Sequence, residues 1–263
     1  MSAMTDRSTA ALRLLILGGT ADANRLVGAL ARDPRIDAVL SYAGRTENPT
    51  PPPIAYRVGG FGGVDGLVDY LRAERIDRVV DATHPFAAQM SAHAVDACAR
   101  AGIALLALQR APWQRQSGDN WIEVESIADA IAALGASPRR VFLGIGRQNL
   151  DAFAAQPQHT YLVRLVDPPR APLPLPKVEV IVARGPFERG SDRDMLLRFG
   201  AELVVAKNAG GEAAVAKIDA ARDLGLPVVM IRRPAIPPRP TADSVAEVLR
   251  WLDHAPAPTE RGV

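Results

Sequence analysis

In the stretch VVDATHPFAAQM, residues 79–90, Thr83, His84 and Pro85 stand where a strand-like run hands over to an Ala-rich helical pattern. Imidazole titrates near neutrality, so His84 is a candidate to donate a proton; the alternative is a hydrogen-bonded structural ring. Pro85 suits a first helical position, where its missing N–H costs nothing. His93 lies nine residues on. That spacing does not put two rings on one helix face as zinc would need, so no metal is expected.

LLILGGTADANRL, residues 14–26, reads as a strand, a glycine turn and a helix beginning at Asp22 or Ala23. Adjacent Gly18 and Gly19 allow a sharp turn that brings bare N–H groups, with those of Thr20 and Ala21, toward a phosphate at a helix N-terminus. Gly18, Thr20 and Ala23 occupy the three places of the dinucleotide fingerprint, an incomplete match in which Thr20 can offer phosphate a hydroxyl. A tight turn with no ligand is the alternative. NAD sites carry an acid roughly 20 residues further on. Here SYAGRT, residues 41–46, offers Ser41, Gly44 and Arg45, with no carboxylate before Glu47. A hydroxyl and a guanidinium suit a 2′-phosphate, so NADPH is expected over NADH. In RVGGFGGVDGL, glycines 59, 60, 62 and 63 surround Phe61 at a strand end. Such a loop can let a flat ligand approach the main chain. Phe61 and Gly62 are assigned to the cofactor, Gly60 to the substrate, and Arg57 is expected to face a carboxylate.

The second half repeats the theme. FLGIGRQNL, residues 142–150, has the same strand–glycine–helix layout with Gly144, Gly146 and Arg147. VARGPFERG and VAKNAGGEAA end two further strands with Arg184 and Lys207, and Arg164 sits on a strand between these loops. Separated cations suit a ligand bearing several carboxylates, though each taken singly is ordinary surface charge.

These loops need strands and helices to hold them. Short apolar runs read as strands at 14–17, 38–42, 56–58, 78–82 and 103–108, and again at 141–145, 160–166, 178–183, 203–207 and 227–231. Several are apolar on both faces, as central parallel strands are. Val64, Leu67, Val68 and Leu71 have helical spacing, as do Val245, Val248, Leu249 and Leu252. The alternation predicts a doubly wound α/β class, and about ten strands predict two sheets. The boundary is placed near Gly135–Arg140, giving domains 1–135 and 136–263, with WIEV at 121–124 able to join either sheet. PPRAPLPLP, with five prolines in nine residues, must be an extended loop.

The chain has 263 residues, 48% of them hydrophobic, and a net charge of +2. That supplies a core and gives no nucleic-acid footprint. Of the 31 basic residues only Lys177, Lys207 and Lys217 are lysines. Cys98 is the sole cysteine, which excludes an internal disulfide. With no signal-peptide core at the N-terminus and no membrane-length apolar run, a soluble cytoplasmic protein is expected.

Taken in order, GGTxD, SYAGR, RVGGFGG, DATHPFA, GPF, KNAGG and KIDAARDLGLPVVMIRRP resemble the precorrin-6A reductase family of cobalamin biosynthesis, over residues 14–234. Where the family usually has Glu after GGT-x, this chain has Asp22. The resemblance implies two Rossmann-like domains, the N-terminal one binding NADPH, with a cleft between them for a polycarboxylate tetrapyrrole. It implies reduction of one double bond, a CH–CH oxidoreduction giving precorrin-6B. His84 then becomes a candidate proton donor, and Thr83, His84 and Pro85 border the cofactor. Phe86, Gly146, Arg147, Arg164, Gly185, Pro186, Phe187, Lys207, Asn208, Gly210 and Gly211 are the further candidate substrate contacts. A cobalt-loaded substrate and a non-catalytic NADP sensor are the alternatives. No nucleic-acid or membrane partner is expected; neighbouring pathway enzymes are further candidate partners, and the expected state is a monomer or small homo-oligomer.

Overall fold

The computed structural model describes residues 11–42 and 51–254. The chain forms two units, residues 1–110 with 235–263, and residues 111–234. Each carries one six-stranded sheet, and every strand pairing is parallel.

In the first unit the strands are β1 (Leu12–Leu17), β2 (Ile36–Tyr42), β3 (Ala55–Val58), β4 (Arg78–Asp81), β5 (Ala104–Leu108) and β12 (Thr241–Ala242). Their order is β12-β5-β4-β1-β2-β3. Apolar residues of β1 alternate between two cores. Leu14 and Ile16 pack with Leu26, Val27 and Leu30 of α1 (Ala21–Leu30) and Val248 and Leu252 of α7 (Val245–Asp253). Leu15 and Leu17 pack with Leu67 and Leu71 of α2 (Gly63–Ala73) and Ala94, Ala97 and Cys98 of α3 (Ala88–Ala101). Burial on both faces is why this strand is a continuous apolar run without polar alternation.

The second unit orders its strands β6-β11-β10-β7-β8-β9. These are β6 (Asn120–Val124), β7 (Arg140–Gly144), β8 (Thr160–Leu165), β9 (Val178–Val182), β10 (Leu203–Lys207) and β11 (Pro227–Ile231). Phe142, Leu162, Val204 and Met230 pack against Met195, Leu196 and Phe199 of α5 (Arg189–Phe199) and Ile218 and Ala221 of α6 (Ala216–Asp223).

The predicted boundary at 135/136 is corrected by this connectivity. β6 follows β5 in sequence yet pairs with β11, and β12 follows β11 yet pairs with β5. Each half therefore lends its last strand to the other sheet, and the chain crosses between units near 110 and again near 234. The FLGIGRQNL segment is also corrected: β7 leads to a turn and a 3₁₀ segment, Asp151–Ala155, with no α-helix, and Asn149 holds φ +69°. The Pro-rich stretch at 168–176 is neither helix nor strand, as its prolines require.

Candidate active site

In each sheet the connections leave a central strand in opposite directions, β1 in one and β7 in the other. Loops at the carboxyl ends of the two strands flanking that switch form the ligand-binding crevice of doubly wound sheets. In the first unit these are the Gly18–Gly19–Thr20 turn after β1 and the DATHPF loop after β4. In the second they are the GIGRQN loop after β7 and KNAGG after β10. The topology thus places GGT beside DATHPF in the first unit and GIGRQN beside KNAGG in the second.

The glycine turn is shaped for close approach. A Cβ on Gly18 would lie 2.5 Å from Leu40 Cδ1, so a side chain there would have to displace the tip of buried Leu40. Gly19 has φ +114° and nothing within 4 Å of a Cβ there, so space lies open before the turn. Helix α1 starts at Ala21, one residue ahead of the expected Asp22 or Ala23, because Thr20 is its N-cap. Thr20 Oγ1 accepts from Ala23 N at 3.1 Å and donates to Ala82 O at 2.9 Å. The hydroxyl expected to meet phosphate is therefore used inside the protein, where it ties the β1 loop to the β4 loop. Asp22, in the first helical turn, pairs with Arg25 and with Arg110 at 2.6 Å.

At the end of β2, Ser41 is buried, and its carbonyl accepts from Gly18 N at 3.0 Å. Gly44 and Arg45, the rest of the expected 2′-phosphate site, lie outside the described residues. Arg57, expected to face a carboxylate, is engaged with its own loop and the neighbouring strand. Its guanidinium donates to Ser41 Oγ at 2.8 Å and to the carbonyls of Gly59 and Gly60 at 3.0 Å each, and stacks 4.0 Å above Phe61. It is the internal brace of the GGFGG loop. Phe61 meets Tyr70 edge-on at 5.1 Å, and Gly59, Gly62 and Gly63 all have positive φ, which a side chain would strain.

The DATHPF loop hangs from a residue the motif analysis left without a role. Asp81 is 2% exposed. Its Oδ1 accepts from Thr83 N at 3.1 Å and Thr83 Oγ1 at 2.6 Å, and its Oδ2 from Ser91 Oγ at 2.6 Å. An Asp two residues before a Thr in a turn is the visible signal for such an arrangement. Pro85 is corrected from its expected helical place. Ala87 N donates to His84 O at 2.7 Å, so Pro85 is the second residue of a β-turn, and α3 begins three residues later at Ala88. His84 Nδ1 accepts from Phe86 N at 3.2 Å, with the two rings 5.8 Å apart. With Nδ1 accepting from the main chain, Nε2 is the ring nitrogen left to carry a proton.

The second unit's loops are braced as closely. Asn208 grips the main chain of Trp113, accepting from its N at 2.8 Å and donating to its O at 3.0 Å. A Cβ on Gly210 would lie 2.1 Å from Ala111 O, and the Gly211 carbonyl accepts from Trp113 Nε1 at 2.9 Å. Arg233 donates to the carbonyls of Asn208 and Ala209 at 2.9 and 3.0 Å. KNAGG is thus fixed by Trp113 and Arg233, which sequence reasoning did not single out; Lys207, at the end of β10, is half-buried. Arg164 is buried in a bidentate pair with Asp192 at 2.5 and 3.2 Å, and lies 3.7 Å from the Phe187 ring. That pairing places it among the supports of the Gly185–Pro186–Phe187 loop, whose Gly185–Pro186 bond is cis. Arg147 is exposed and Gly146 has φ +76°. Residues 147–151 and 171–174 enclose a pocket of about 320 Å³. Among the described residues no group of three or more His, Cys, Asp or Glu is placed to hold a metal, and no helix is long and apolar enough to cross a membrane.

Comparison with known proteins agrees with this architecture. The family described as Precorrin-6x reductase CbiJ/CobK matches residues 13–253. The precorrin-6A reductase of Rhodobacter capsulatus is 56% identical over 252 residues, covering 95% of this chain and 99% of that one. The cobalt-precorrin-6A reductase of Priestia megaterium is 29% identical over 240 residues, covering 85% and 91%. A solved structure titled CobK precorrin-6A reductase superposes with a TM-score of 0.89 at 55% identity, covering 96% of this chain and all of that one. The chain belongs to the precorrin-6x reductase family of oxidoreductases.

Proposed function

We propose that this chain reduces a double bond of the macrocycle precorrin-6A, giving precorrin-6B, with NADPH as reductant. The observation that carries the reading is the open glycine turn at the first switch point, facing the DATHPF loop, in a member of this family. The turn fits a dinucleotide: Gly19 leaves a Cβ-sized space free, and the N-terminus of α1 lies directly behind it. The main chain at Gly18, Gly19 and Ala21 would hold the pyrophosphate, and Arg45 the 2′-phosphate. When bound, the nicotinamide supplies the hydride.

The chain's own work is to bind, orient and exclude water. His84 and Phe86 together form the wall beyond β4. His84 is the candidate donor of the proton that the neighbouring carbon requires. In the second unit Arg147 and Lys207 are the candidate partners for macrocycle carboxylates, while Arg164 and Asn208 there, and Arg57 in the first unit, hold the loops. A cytoplasmic setting suits such a biosynthetic reductase. The metal-free substrate is favoured over the cobalt form, since the relative named for the former is 56% identical and that named for the latter 29%.

The test is NADPH oxidation by the purified protein with precorrin-6A, followed together with the macrocycle's visible spectrum. Coupled oxidation and spectral change are expected, with NADH much weaker. Turnover of cobalt-precorrin-6A alone would replace the substrate assignment, and NADPH binding without turnover of either would favour a sensor.

A further inference from the structure

We propose that Arg239 is a positioning residue for the DATHPF loop, reaching Asp81 from the returning C-terminal segment and so setting Thr83 and His84 at the first switch point. This rests on the reductase reading. The segment's register is fixed by two hydrogen bonds, Ala107 N to Pro240 O at 2.9 Å and Gln109 N to Ala242 O at 2.8 Å. They leave Arg239 beside the end of the sheet, with its side chain 8% exposed and an NH2 group 3.4 Å from Asp81 Oδ2. The same nitrogen lies 3.4 Å from Gln109 Oε1, and Nε is buried without a partner.

That arrangement is a poor stabiliser. The ion pair is long, a buried donor is left unmatched, and pairs of this kind are commonly replaced by apolar side chains with no loss of stability. Asp81 already accepts three shorter hydrogen bonds, two from Thr83 and one from Ser91 of α3. What Arg239 adds is the balancing charge behind a carboxylate that holds Thr83 of the loop by two bonds and Ser91 of α3 by the third. Thr20 extends the same network to the glycine turn through Ala82 O. A one-residue shift in the returning strand would remove the guanidinium and leave a buried carboxylate directing the loop alone.

The full chain and the variants Arg239→Met, Arg239→Lys and Asp81→Asn/Arg239→Met are compared for thermal midpoint, NADPH affinity by fluorescence titration, and kcat with precorrin-6A. Arg239→Met is expected to melt below the wild-type temperature, because Asp81 is left buried without a countercharge, whereas the double variant, with neither charge, should recover the midpoint. Arg239→Met should still bind NADPH within about threefold, because the glycine turn is intact. Its kcat is expected to fall by on the order of 10- to 100-fold, as misplacement near reacting groups does. Arg239→Lys should recover part of that loss. Wild-type kcat in Arg239→Met would overturn the proposal, as would midpoint and kcat falling together with neither restored by Lys. If Arg239→Met does not fold, the double variant without either charge decides: low kcat in a refolded protein supports positioning, and recovered kcat overturns it. A wild-type protein that oxidises no NADPH with precorrin-6A would instead defeat the reductase reading.

Discussion

Gly66 offers a test in which local propensity and tertiary structure predict opposite signs. It lies inside α2, where Ala is favoured over Gly by roughly 0.5–1 kcal/mol, so Gly66→Ala ought to stabilise the helix. In the structure a Cβ at Gly66 would stand 1.8 Å from the Phe61 carbonyl oxygen and 2.9 Å from its carbon. Ordinary contact begins at 3.4 Å, so the carbonyl would have to retreat by 3.4 − 1.8 = 1.6 Å. Its loop cannot yield freely. Gly59 and Gly60 are held through their carbonyls by Arg57, and the Phe61 ring lies under the same guanidinium. Overpacking costs about 1–3 kcal/mol, and strained bonds to a charged donor add to it. After the helix gain is subtracted, the net loss is about 2 kcal/mol. Gly28, exposed in α1 with nothing within 4 Å of a Cβ, is the matched control; Gly28→Ala should gain close to the full propensity difference. Urea unfolding by circular dichroism, with NADPH titration of the folded variants, reads both effects. Gly66→Ala equal to or more stable than wild type would refute the argument, as would identical responses at the two sites.

Three further outcomes are expected. His84→Ala should lower kcat by on the order of tenfold while keeping the shape of the pH profile; loss of a fall in rate toward alkaline pH would show that the ring works as an acid. His159 is fully buried, with Nδ1 accepting from Arg139 N at 3.1 Å, and burial pulls its pKa below the usual 6.5. The unfolded chain then binds the proton more readily, so this contribution to stability is complete above pH 6.5 and is lost as the pH falls from there through the folded value. Urea midpoints over this window should fall in the wild type and flatten in His159→Gln. Cys98 lies in the core with its thiol pushed up to about 12 by burial. It should resist thiol reagents in the native protein near pH 8 and react fully after denaturation.

The strands were legible because parallel strands buried on both faces leave apolar runs bounded by turn residues, and LLIL and PVVMI became β1 and β11. β12 was not. Two residues, Thr241 and Ala242, have no periodicity, and they are a strand only because β5 offers them a partner. The same cause displaced the domain boundary. Whether β6 joins the sheet before it or after it depends on which edge strand is open to pair, a property of the assembled sheets that 121–124 does not encode locally. The helix starts were missed by smaller margins for a similar reason. Thr20 caps α1 and a β-turn precedes α3, and both depend on contacts made with Ala82 or within the loop.

The site motifs sit at strand ends, and several of the polar side chains expected to meet a ligand make bonds inside the protein. Arg57, Thr20, Arg164 and Asn208 have the donors a phosphate or carboxylate requires. Loop carbonyls, main-chain amides and a buried aspartate require the same donors, and residue type does not distinguish the two. The glycines separate more cleanly. Gly18, Gly66 and Gly210 have no room for a side chain because the protein fills that space. Gly19, Gly59, Gly60, Gly62 and Gly146 have nothing within 4 Å of a Cβ. Packing does not account for glycine at this second group; strained backbone at four of them and an uncovered main chain do, and an uncovered main chain at a switch point is what a flat, anionic ligand can approach. In the reading proposed above, ligand recognition belongs first to bare backbone on a heavily braced frame. Substitutions in the braces should shift turnover through geometry, while substitutions at the open glycines should act on binding itself.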